Sequence, residues 1–261
     1  MLHLQTIHVN TPTLAVFDPR GMVARSVQYD CVGAAGTAQT RVDRTVRNPV
    51  GRAIELWDAR LFVLGSGPSN LSNIYSLSGA ILASRSVDAG LRVSVFGEAG
   101  QPVQGWDGRG SQRWMRYDEQ LRLCELYEQA AGGDSVCAER LTYAANDQLF
   151  ADHNHCGRLI QHDDPAGVLL FNDYGLNGAV LEQERRLISQ KTDGYITHSR
   201  FNPQGELICV TDARDNEQRF HQTVGGSLRA VDLRLNDTPE RLPMVRTVTY
   251  NAYGQVEQEV A

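Results

Sequence analysis

A cluster of imidazole and thiol groups near the middle of the chain is the first candidate for chemistry. His153, His155 and Cys156 stand within four residues of one another, and His162 follows shortly after them. Imidazole nitrogens and thiolates are the ligands that Zn²⁺ and related transition metals prefer. However, His153 occupies the position before a turn signal that aromatic residues occupy elsewhere, and Cys156 directly precedes the glycine of that signal. We therefore interpret these side chains as turn and strand residues, and we predict no metal site and no cofactor.

Two further patterns could carry acid–base or nucleophilic chemistry. The adjacent carboxylates Asp163 and Asp164 could act as a pair, but Asp164 is better explained as the first residue of an Asp-Pro-x-Gly turn. The run at 133–135, GDS, resembles the nucleophile motif of GDSL-type hydrolases, which also requires a late Asp-x-x-His. Gln218 stands three residues before the last histidine, His221, so this partner is missing. We therefore predict no catalytic residue and no enzymatic activity.

The pattern that organises the whole chain is a four-residue turn signal. Asp or Asn stands first, Pro is often second, and Gly is fourth. The first side chain accepts hydrogen bonds from backbone amides ahead of it, Pro presets φ, and Gly accepts the left-handed backbone of a type I turn followed by a bulge. The predicted structural turn residues are Asp18, Gly21, Asn48, Gly51, Asp107, Gly110, Asn154, Gly157, Asp164, Gly167, Asn172, Gly175, Asn202, Gly205, Asn251 and Gly254.

The segments between the turns are short and rich in Leu, Ile, Val and Phe, and an aromatic residue often directly precedes the turn. A second spacing also repeats, because four glycines are each followed seven residues later by an aspartate. These pairs are Gly51 and Asp58, Gly100 and Asp107, Gly157 and Asp164, and Gly205 and Asp212. Strands and turns at near-fixed spacing indicate a repeat architecture. The sequence therefore predicts an all-β fold of antiparallel hairpins, with residues 180–191 as a stretch that is either helix or strand.

Composition limits the classes of partner and the compartment. The chain has 261 residues, a formal net charge of −6 and 41% hydrophobic residues, so a folded core is expected and nucleic-acid binding is not. Its five cysteines are widely spaced, and none forms a Cys-x-x-Cys pair, as is typical of proteins that fold in reducing cytosol. The N-terminus lacks the pattern of a secretion signal, and no segment is long enough to span a membrane. We expect no direct membrane insertion.

Five segments carry a resemblance to a known family. They are TPTLAVFDPRG near the start, RSVDAG at 85–90, CGRLIQHDDPAGVLLFNDYGLNGAVLEQ at 156–183, RFNPQGELICVTDARDN at 200–216 and YNAYGQVEQE at 250–259. In this order they resemble the Rhs/YD-repeat family. More narrowly, the chain resembles the N-terminal part of the C component (TccC-like) of bacterial insecticidal Tc toxin complexes. The similarity spans essentially the whole chain.

The resemblance implies a specific structural role. In such complexes the B and C components form a hollow shell from a long, curved β-sheet that spirals around itself and encloses a toxic C-terminal segment. An aspartyl self-cleaving core region releases this cargo, and a pore-forming A component delivers it. No part of the present chain aligns with the self-cleaving core or the cargo, so the protease aspartates are carried over onto no residue. We expect residues 1–261 to be one Rhs/YD-repeat β-shell fragment, truncated or completed by another chain.

The same resemblance sets expectations for partners and location. The expected partners are a B-type shell component and, indirectly, the A component. We expect synthesis in the bacterial cytoplasm without a signal peptide and release as part of a toxin complex. An alternative is a repeat-built recognition module that binds glycans or a receptor through exposed Trp57, Trp106 and Trp114. A third hypothesis, a β-propeller hydrolase, is disfavoured by the uneven repeat spacing.

Overall fold

The computed structural model describes residues 11–30, 38–65, 67–189 and 194–261. The chain divides into two compact units, residues 1–116 with 127–136 (unit 1) and residues 117–126 with 137–261 (unit 2). Cys31, one of the five cysteines, and residues 190 and 191, the end of the stretch that was predicted as either helix or strand, lie outside the described residues. Within the described part of the chain, no helix has the length and apolarity needed to cross a bilayer.

Unit 1 is a meander of antiparallel strands with one short helix. Its elements are β1 (Leu14–Phe17), β2 (Val23–Asp30), β3 (Gln39–Arg47), β4 (Ala53–Trp57), α1 (Ala59–Val63), β5 (Leu71–Tyr75), β6 (Ile81–Ser86), β7 (Gly90–Phe96) and β8 (Pro102–Asp107). Three more strands, β9 (Gln112–Tyr117), β10 (Leu123–Gln129) and β11 (Ser135–Tyr143), have residues in both units. From β1 to β9 each strand pairs antiparallel with the next strand in the chain.

Unit 2 continues the same pattern within its own residues. Its elements are α2 (Gln148–Ala151), β12 (Leu159–Asp164), β13 (Gly167–Tyr174), β14 (Val180–Leu187), β15 (Gly194–Phe201), β16 (Leu207–Thr211), β17 (Glu217–Gln222), β18 (Leu228–Arg234), β19 (Arg241–Val245), β20 (Thr247–Tyr250) and β21 (Val256–Val260). Successive strands from β11 to β19 are antiparallel partners, and β20 pairs with β21. The predicted all-β class is confirmed.

One turn geometry joins most of these strands. At the first turn, the Asp18 N–H donates to the Met22 carbonyl at 2.8 Å, and the Gly21 N–H donates to the Asp18 carbonyl at 2.9 Å. Gly21 has φ of 77°, which is the left-handed backbone of a type I turn plus bulge. The same pair of backbone bonds closes turns that begin at Asp18, Asn48, Ser76, Gly97, Asp107, Asp118, Gly175, Asn202, Asp212, Thr223 and Asn251.

One predicted turn is placed differently by the structure. The turn predicted at Asn172–Gly175 is wrong, because Asn172 lies inside β13 and the chain reverses over Gly175–Gly178 instead. The register of β13 against β14 decides this, since a bulge after Phe171 carries the strand on to Tyr174.

The predicted turn at Asp164–Gly167 exists, but it is tighter than a bulged turn. Asp164 and Gly167 are direct partners in the ladder of β12 and β13, so only Pro165 and Ala166 connect the strands. The Asp164 Oδ1 accepts from the Ala166 N–H at 2.8 Å and the Gly167 N–H at 3.0 Å.

A third correction concerns Asn154 and Gly157, which do not form a four-residue turn. The Gly157 N–H donates to the Ala144 carbonyl at 3.1 Å, and the Ala144 N–H donates to the Arg158 carbonyl at 2.9 Å. These are the two bonds of the recurrent turn, with Ala144 in the first position and Gly157 in the fourth. Residues 145–156, including α2, therefore stand where the other turns have two residues, and Asn154 (φ of 54°) lies inside this insertion.

The second sequence spacing has a simple structural meaning. Seven residues from a turn glycine to an aspartate are one strand, because β4, β8, β12 and β16 each begin just after the glycine and end at or just before the aspartate. Asp107 and Asp212 begin the next bulged turn, Asp164 begins the tight one, and Asp58 caps α1 by accepting from the Leu61 N–H at 2.9 Å. The ambiguous stretch at 180–191 is strand β14 up to Leu187, because its residues complete the ladders of β13 and β15.

Buried apolar side chains are few. Among the described residues the buried apolar side chains are Ala144, Tyr174, Cys209, Val231 and Val248, all in unit 2. Polar groups instead form a row across unit 2, in which Glu182, His198, Thr211, Glu217, Arg234 and Arg241 are successive cross-strand partners. Glu217 forms ion pairs with both Arg234 and Arg241, and this shared carboxylate offsets the like charges of the two arginines, which are direct cross-strand partners. The described strands of unit 2 are therefore held together by cross-strand polar contacts as well as by a few buried apolar side chains.

Candidate functional site: an edge of arginine–tyrosine clasps

Since neighbouring strands of unit 2 are antiparallel, every second connection lies at the same edge of its sheet. One edge, which we name the clasp edge, carries connections 118–122, 144–158, 175–179, 202–206, 223–227 and 251–255. The last of these belongs there because the Tyr250 hydroxyl donates to the Leu228 carbonyl at 2.7 Å. The opposite edge carries connections 164–167, 212–216 and 235–240, and residues 188–189 follow β14 there.

A clasp of one arginine and one tyrosine ties two successive connections of this edge together. The Arg158 Cζ lies 5.1 Å from the centroid of the Tyr174 ring, and the Arg158 Nη1 donates to the Gly175 carbonyl at 3.1 Å. The Tyr174 hydroxyl donates back to the Leu159 carbonyl at 2.6 Å. Burial raises the pKa of the Tyr174 hydroxyl, which therefore stays protonated as a donor.

The clasp recurs at other turns. Within unit 2, the Arg122 Cζ lies 4.3 Å from the centroid of the Tyr143 ring, and its Nη1 donates to the Gly157 carbonyl at 2.8 Å. Within unit 1, Arg52 lies over the Tyr75 ring at 5.8 Å and donates to the Ser76 carbonyl at 2.6 Å. The Tyr75 hydroxyl donates to the carbonyl of Ala53, the residue after Arg52, at 2.8 Å.

The role of these arginines was not predicted from the sequence. Arg52, Arg122 and Arg158 each directly follow the fourth residue of a turn or of its expanded form. The usable signal was therefore Gly-Arg or its equivalent after a turn, with Tyr directly before the next turn of the same edge. It could be read only once alternate turns were known to lie side by side.

The candidate metal ligands pack as ring contacts around the insertion. The His155 ring meets the Tyr174 ring edge-on at 5.8 Å between centroids, and the His153 ring lies 5.6 Å from the His155 ring. The Cys156 Sγ contacts the Asp147 carbonyl at 3.4 Å. Within the described ranges, no three His, Cys, Asp or Glu side chains converge as metal ligands. The His155 Nε2 is buried and has no partner among the protein atoms there.

The candidate carboxylate pair is divided between different partners. The Arg185 guanidinium donates to the Asp164 Oδ1 at 2.6 Å and, with the two turn amides, holds the pKa of Asp164 at about 2. Asp163 accepts instead from the Gln161 amide at 2.8 Å, on the same strand. Asp164 is therefore a charged turn residue bonded to β14, and the two carboxylates have different partners.

The remaining histidine and serine candidates also have structural contacts. The His221 Nε2 lies 2.7 Å from the Asp232 Oδ2 on the adjacent strand, and the His162 Nε2 lies 3.1 Å from the Glu139 Oε2. In unit 1, Ser135 is the first residue of β11 and follows a turn in which the Gly133 N–H donates to the Ala130 carbonyl at 3.0 Å.

The tryptophans that a recognition module would require differ in their surroundings. Trp114 stacks on Tyr127 with centroids 5.4 Å apart and planes 4° apart. The Arg44 guanidinium covers Trp57 at 4.9 Å from its ring centroid. Trp106 is 36% exposed.

Comparisons with known proteins bear directly on this fold. No family model matches the chain. Two toxin subunits of Yersinia entomophaga are similar in sequence: YenC1 is 25% identical over 281 residues, covering 97% of this chain, and YenC2 is 24% identical over 290 residues, covering 95%. The chain spans 28% and 29% of the length of these relatives.

Solved structures match over almost the whole chain. The complex TcdB2-TccC3 without its hypervariable C-terminal region superposes with a TM-score of 0.83 at 29% identity, over 97% of this chain and 13% of that one. TcdB2-TccC3-Cdc42 superposes with a TM-score of 0.82 at 29% identity, over 95% of this chain and 13% of that one. A Photorhabdus luminescens Tc holotoxin pore gives 0.82 at 29% identity, over 97% and 13%. The chain is therefore a homologue of Tc toxin subunits and has the antiparallel Rhs-repeat fold of the matched TcdB2-TccC3 segment, as its sequence predicted.

Proposed function

We propose that this chain is a wall segment of an insecticidal toxin complex, where it encloses a toxic cargo together with a B-type partner. The observation that carries the proposal is the superposition on TcdB2-TccC3 structures, with TM-scores of 0.82 to 0.83 over 95% to 97% of the chain. Because the match covers almost the whole chain at 29% identity, it supports common ancestry rather than a chance similarity between repeat folds.

The packing of the sheet supports a wall rather than a soluble globular domain. Few apolar side chains are buried among the described residues, whereas many large ones are exposed, including Val95, Val136 and Ile196. A folded domain of this size usually removes most of its large apolar side chains from water. Surfaces left open in this way suit a strip of sheet that other chains cover in an assembly.

A non-catalytic role is part of the proposal. The candidate groups that could do chemistry, His155, Asp164 and His221, are each engaged in ring packing, a turn or a cross-strand pair. We assign the chemistry of such complexes to segments beyond this chain. We also propose that residues 1–261 form one Rhs/YD-repeat fragment, that a pore-forming A component acts indirectly, and that the chain leaves the bacterium as part of the complex.

Co-expression tests the proposal directly. The chain is produced with and without TcdB2, the partner in the matched complexes, and the soluble material is analysed by size exclusion with light scattering. We expect a defined complex with TcdB2 and poorer solubility without it. A chimera in which this chain replaces the matched segment of TcdB2-TccC3 gives a second measurement, and an unrelated β-domain of equal length in the same place is its control. The proposal would be contradicted if the chain were a monodisperse monomer that does not bind TcdB2 and the chimera failed to assemble.

The recognition-module hypothesis has less support. Of its three tryptophans, Trp114 is stacked on Tyr127 and Trp57 is covered by Arg44, which leaves Trp106 as the exposed platform. A single aromatic side chain that is about a third exposed offers little area for stacking on a sugar ring.

A further inference from the structure

At one position of the clasp edge in unit 2, a carboxylate replaces the arginine of the clasp and an amide replaces the tyrosine. Glu206 directly follows the fourth residue of a turn, as Arg158 does, and Gln222 directly precedes the next turn of this edge, as Tyr174 does. The Gln222 Nε2 donates to the Leu207 carbonyl at 3.1 Å, which repeats the bond of the Tyr174 hydroxyl to the residue after its arginine. The backbone geometry of a clasp is therefore kept, while its side chains differ.

Asn202 joins the two replacement side chains. Its Nδ2 donates to the Glu206 Oε2 at 2.6 Å and to the Gln222 Oε1 at 3.1 Å. We name Asn202, Glu206 and Gln222 the polar clasp. These three residues, with Phe220 and Thr223 among others, line a cavity of about 890 Å³ within unit 2. Cavities of that size hold small molecules or single side chains of a partner.

The polar clasp leaves two hydrogen-bond acceptors beside the next turn. In the clasp of Arg158, the Gly175 carbonyl accepts both the turn amide and the guanidinium. The matching Thr223 carbonyl accepts the Gly226 N–H at 3.0 Å, and no side chain in the described ranges donates to it. The Glu206 Oε1 also accepts no hydrogen bond from the described residues, and it lies so close over Gly226 that a Cβ there would clash. Both oxygens therefore lie beside Gly226, at the lining of the cavity.

We propose that the polar clasp binds a guanidinium group from outside the chain, as in the side chain of arginine. A guanidinium presents five N–H donors in a planar fork and accepts nothing, so it matches a carboxylate oxygen beside a backbone carbonyl. The Asp232 carboxylate lies 2.7 Å from the His221 Nε2, which leaves Glu206 as the available anion of the cavity. Arg229 and Arg246 also line the cavity, and in the part of the chain that the structure describes neither pairs with Glu206. Their charge favours free arginine, which has a carboxylate, over an arginine within a peptide.

Three variants test the site without depending on the proposed function, because every residue involved lies in unit 2. Glu206→Gln removes the charge but keeps an oxygen for the bond from Asn202. Glu240→Gln, on the opposite edge, is the matched control with the same change of net charge. Both are expected to unfold within about 2 °C of the parent chain. The filling variant, Glu206→Arg with Gln222→Tyr, builds a clasp of the chain's own kind and should unfold at a higher temperature, since its guanidinium reaches the Thr223 carbonyl.

Binding is measured by saturation-transfer NMR on the full chain, produced alone or with TcdB2. The probes are L-arginine, N-acetyl-L-arginine amide as a model of a peptide side chain, and L-citrulline as the uncharged counterpart of arginine. We expect citrulline to bind at least roughly tenfold more weakly than arginine, because hydrogen bonds between charged groups are about twice as strong as neutral ones. Glu206→Gln should weaken arginine binding by about the same factor, the filling variant should abolish it, and Glu240→Gln should stay within about twofold of the parent.

The two arginine probes distinguish the source of the group. Tighter binding of L-arginine than of the blocked amide supports a free amino acid, and equal binding supports a peptide side chain. Equal affinity for arginine and citrulline, or equal arginine binding by the parent chain and Glu206→Gln, would overturn the proposal. A signal from N-acetylglucosamine that is lost in Glu206→Gln, with none from either arginine probe, would assign the cavity to a saccharide and overturn it as well. None of these outcomes bears on whether the chain assembles with TcdB2.

Discussion

The guanidinium of Arg158 covers the ring of Tyr174, while the Tyr174 hydroxyl donates to the carbonyl of Leu159, the residue directly after Arg158. Each residue of this pair thus holds the backbone beside the other. Because Arg158 ends one connection of the clasp edge and Tyr174 precedes the next, the contact fixes the spacing between two turns. In a sheet with few buried apolar side chains, such edge contacts supply order that a core supplies elsewhere.

Removing the Tyr174 hydroxyl tests the clasp. Tyr174→Phe keeps the ring under Arg158 but deletes the bond to the Leu159 carbonyl at 2.6 Å. We expect the free energy of unfolding to fall by about 1 kcal/mol, the usual net contribution of such a bond. Urea titration followed by circular dichroism measures the change. Tyr253→Phe, at a side chain that is 90% exposed, is the control and is expected to change stability by less than about 0.5 kcal/mol.

Leu121 offers a stabilising substitution. It occupies the fourth position of the turn at 118–122 with φ of 60°, where most copies have glycine. Left-handed backbone costs an L-residue about 1–2 kcal/mol, and the greater entropy of glycine in the unfolded chain returns about half of that. We expect Leu121→Gly to raise the urea midpoint, with a gain of roughly 0.5–1 kcal/mol. Leu121→Ala retains the Cβ and should not stabilise; an equal gain from Ala would mean that the side chain, not φ, causes the strain.

The bond between Asp164 and Arg185 predicts a specific acid response. The pKa of Asp164 in the folded protein, about 2, lies below the ordinary value of 3.8. Ionised Asp164 therefore contributes stability that is fully present above about pH 4 and is lost as the pH falls toward 2. Free energies of unfolding measured from pH 7 to pH 2 should therefore favour the parent over Asp164→Asn at neutral pH, and the difference should shrink in that acid range. Arg185→Gln removes the largest cause of the lowered pKa and should flatten most of this response. A difference that is constant with pH would contradict the ion pair.

Shortening the insertion tests whether Ala144 and Gly157 close an ordinary turn. Replacing residues 145–156 by a Pro-Asp dipeptide should leave β11 and β12 in register, because the two closing bonds belong to the backbone. We expect a loss of about 1–3 kcal/mol, since Tyr174 loses its cover by His155. Amide hydrogen exchange of β11 and β12 reports the register. Ala166→Asp, which leaves the chain length unchanged, is the control and should keep the protection of both strands. Loss of protection along β11 and β12 in the shortened chain would show that the insertion itself holds these strands together.

Local stereochemistry made the turns at Asp18, Asn48 and Asn202 readable from sequence, because Pro fixes φ and Gly supplies the left-handed residue within four positions. The turn at Asp212 was missed because its fourth residue is Asp215, with φ of 61°, rather than glycine. The turn at Gly175 was displaced because two glycines compete there, and only pairing with β14 selects Gly178.

The candidate site was less accessible to sequence reasoning than the turns. The contacts of Arg52 with Tyr75 and of Arg158 with Tyr174 join residues that are distant in the chain. They follow from the antiparallel order of whole strands, which brings alternate turns together.

The insertion between Ala144 and Gly157 shows that a bulged turn can be opened at its tip and refilled without disturbing the ladder below it. Only two backbone bonds define the mouth of the loop, and neither depends on what lies between them. This position is therefore a natural graft point for foreign peptides. An affinity tag or a fluorogenic epitope placed at α2 would be displayed at the rim of the sheet, beside Leu149, and would report whether that rim is open or covered.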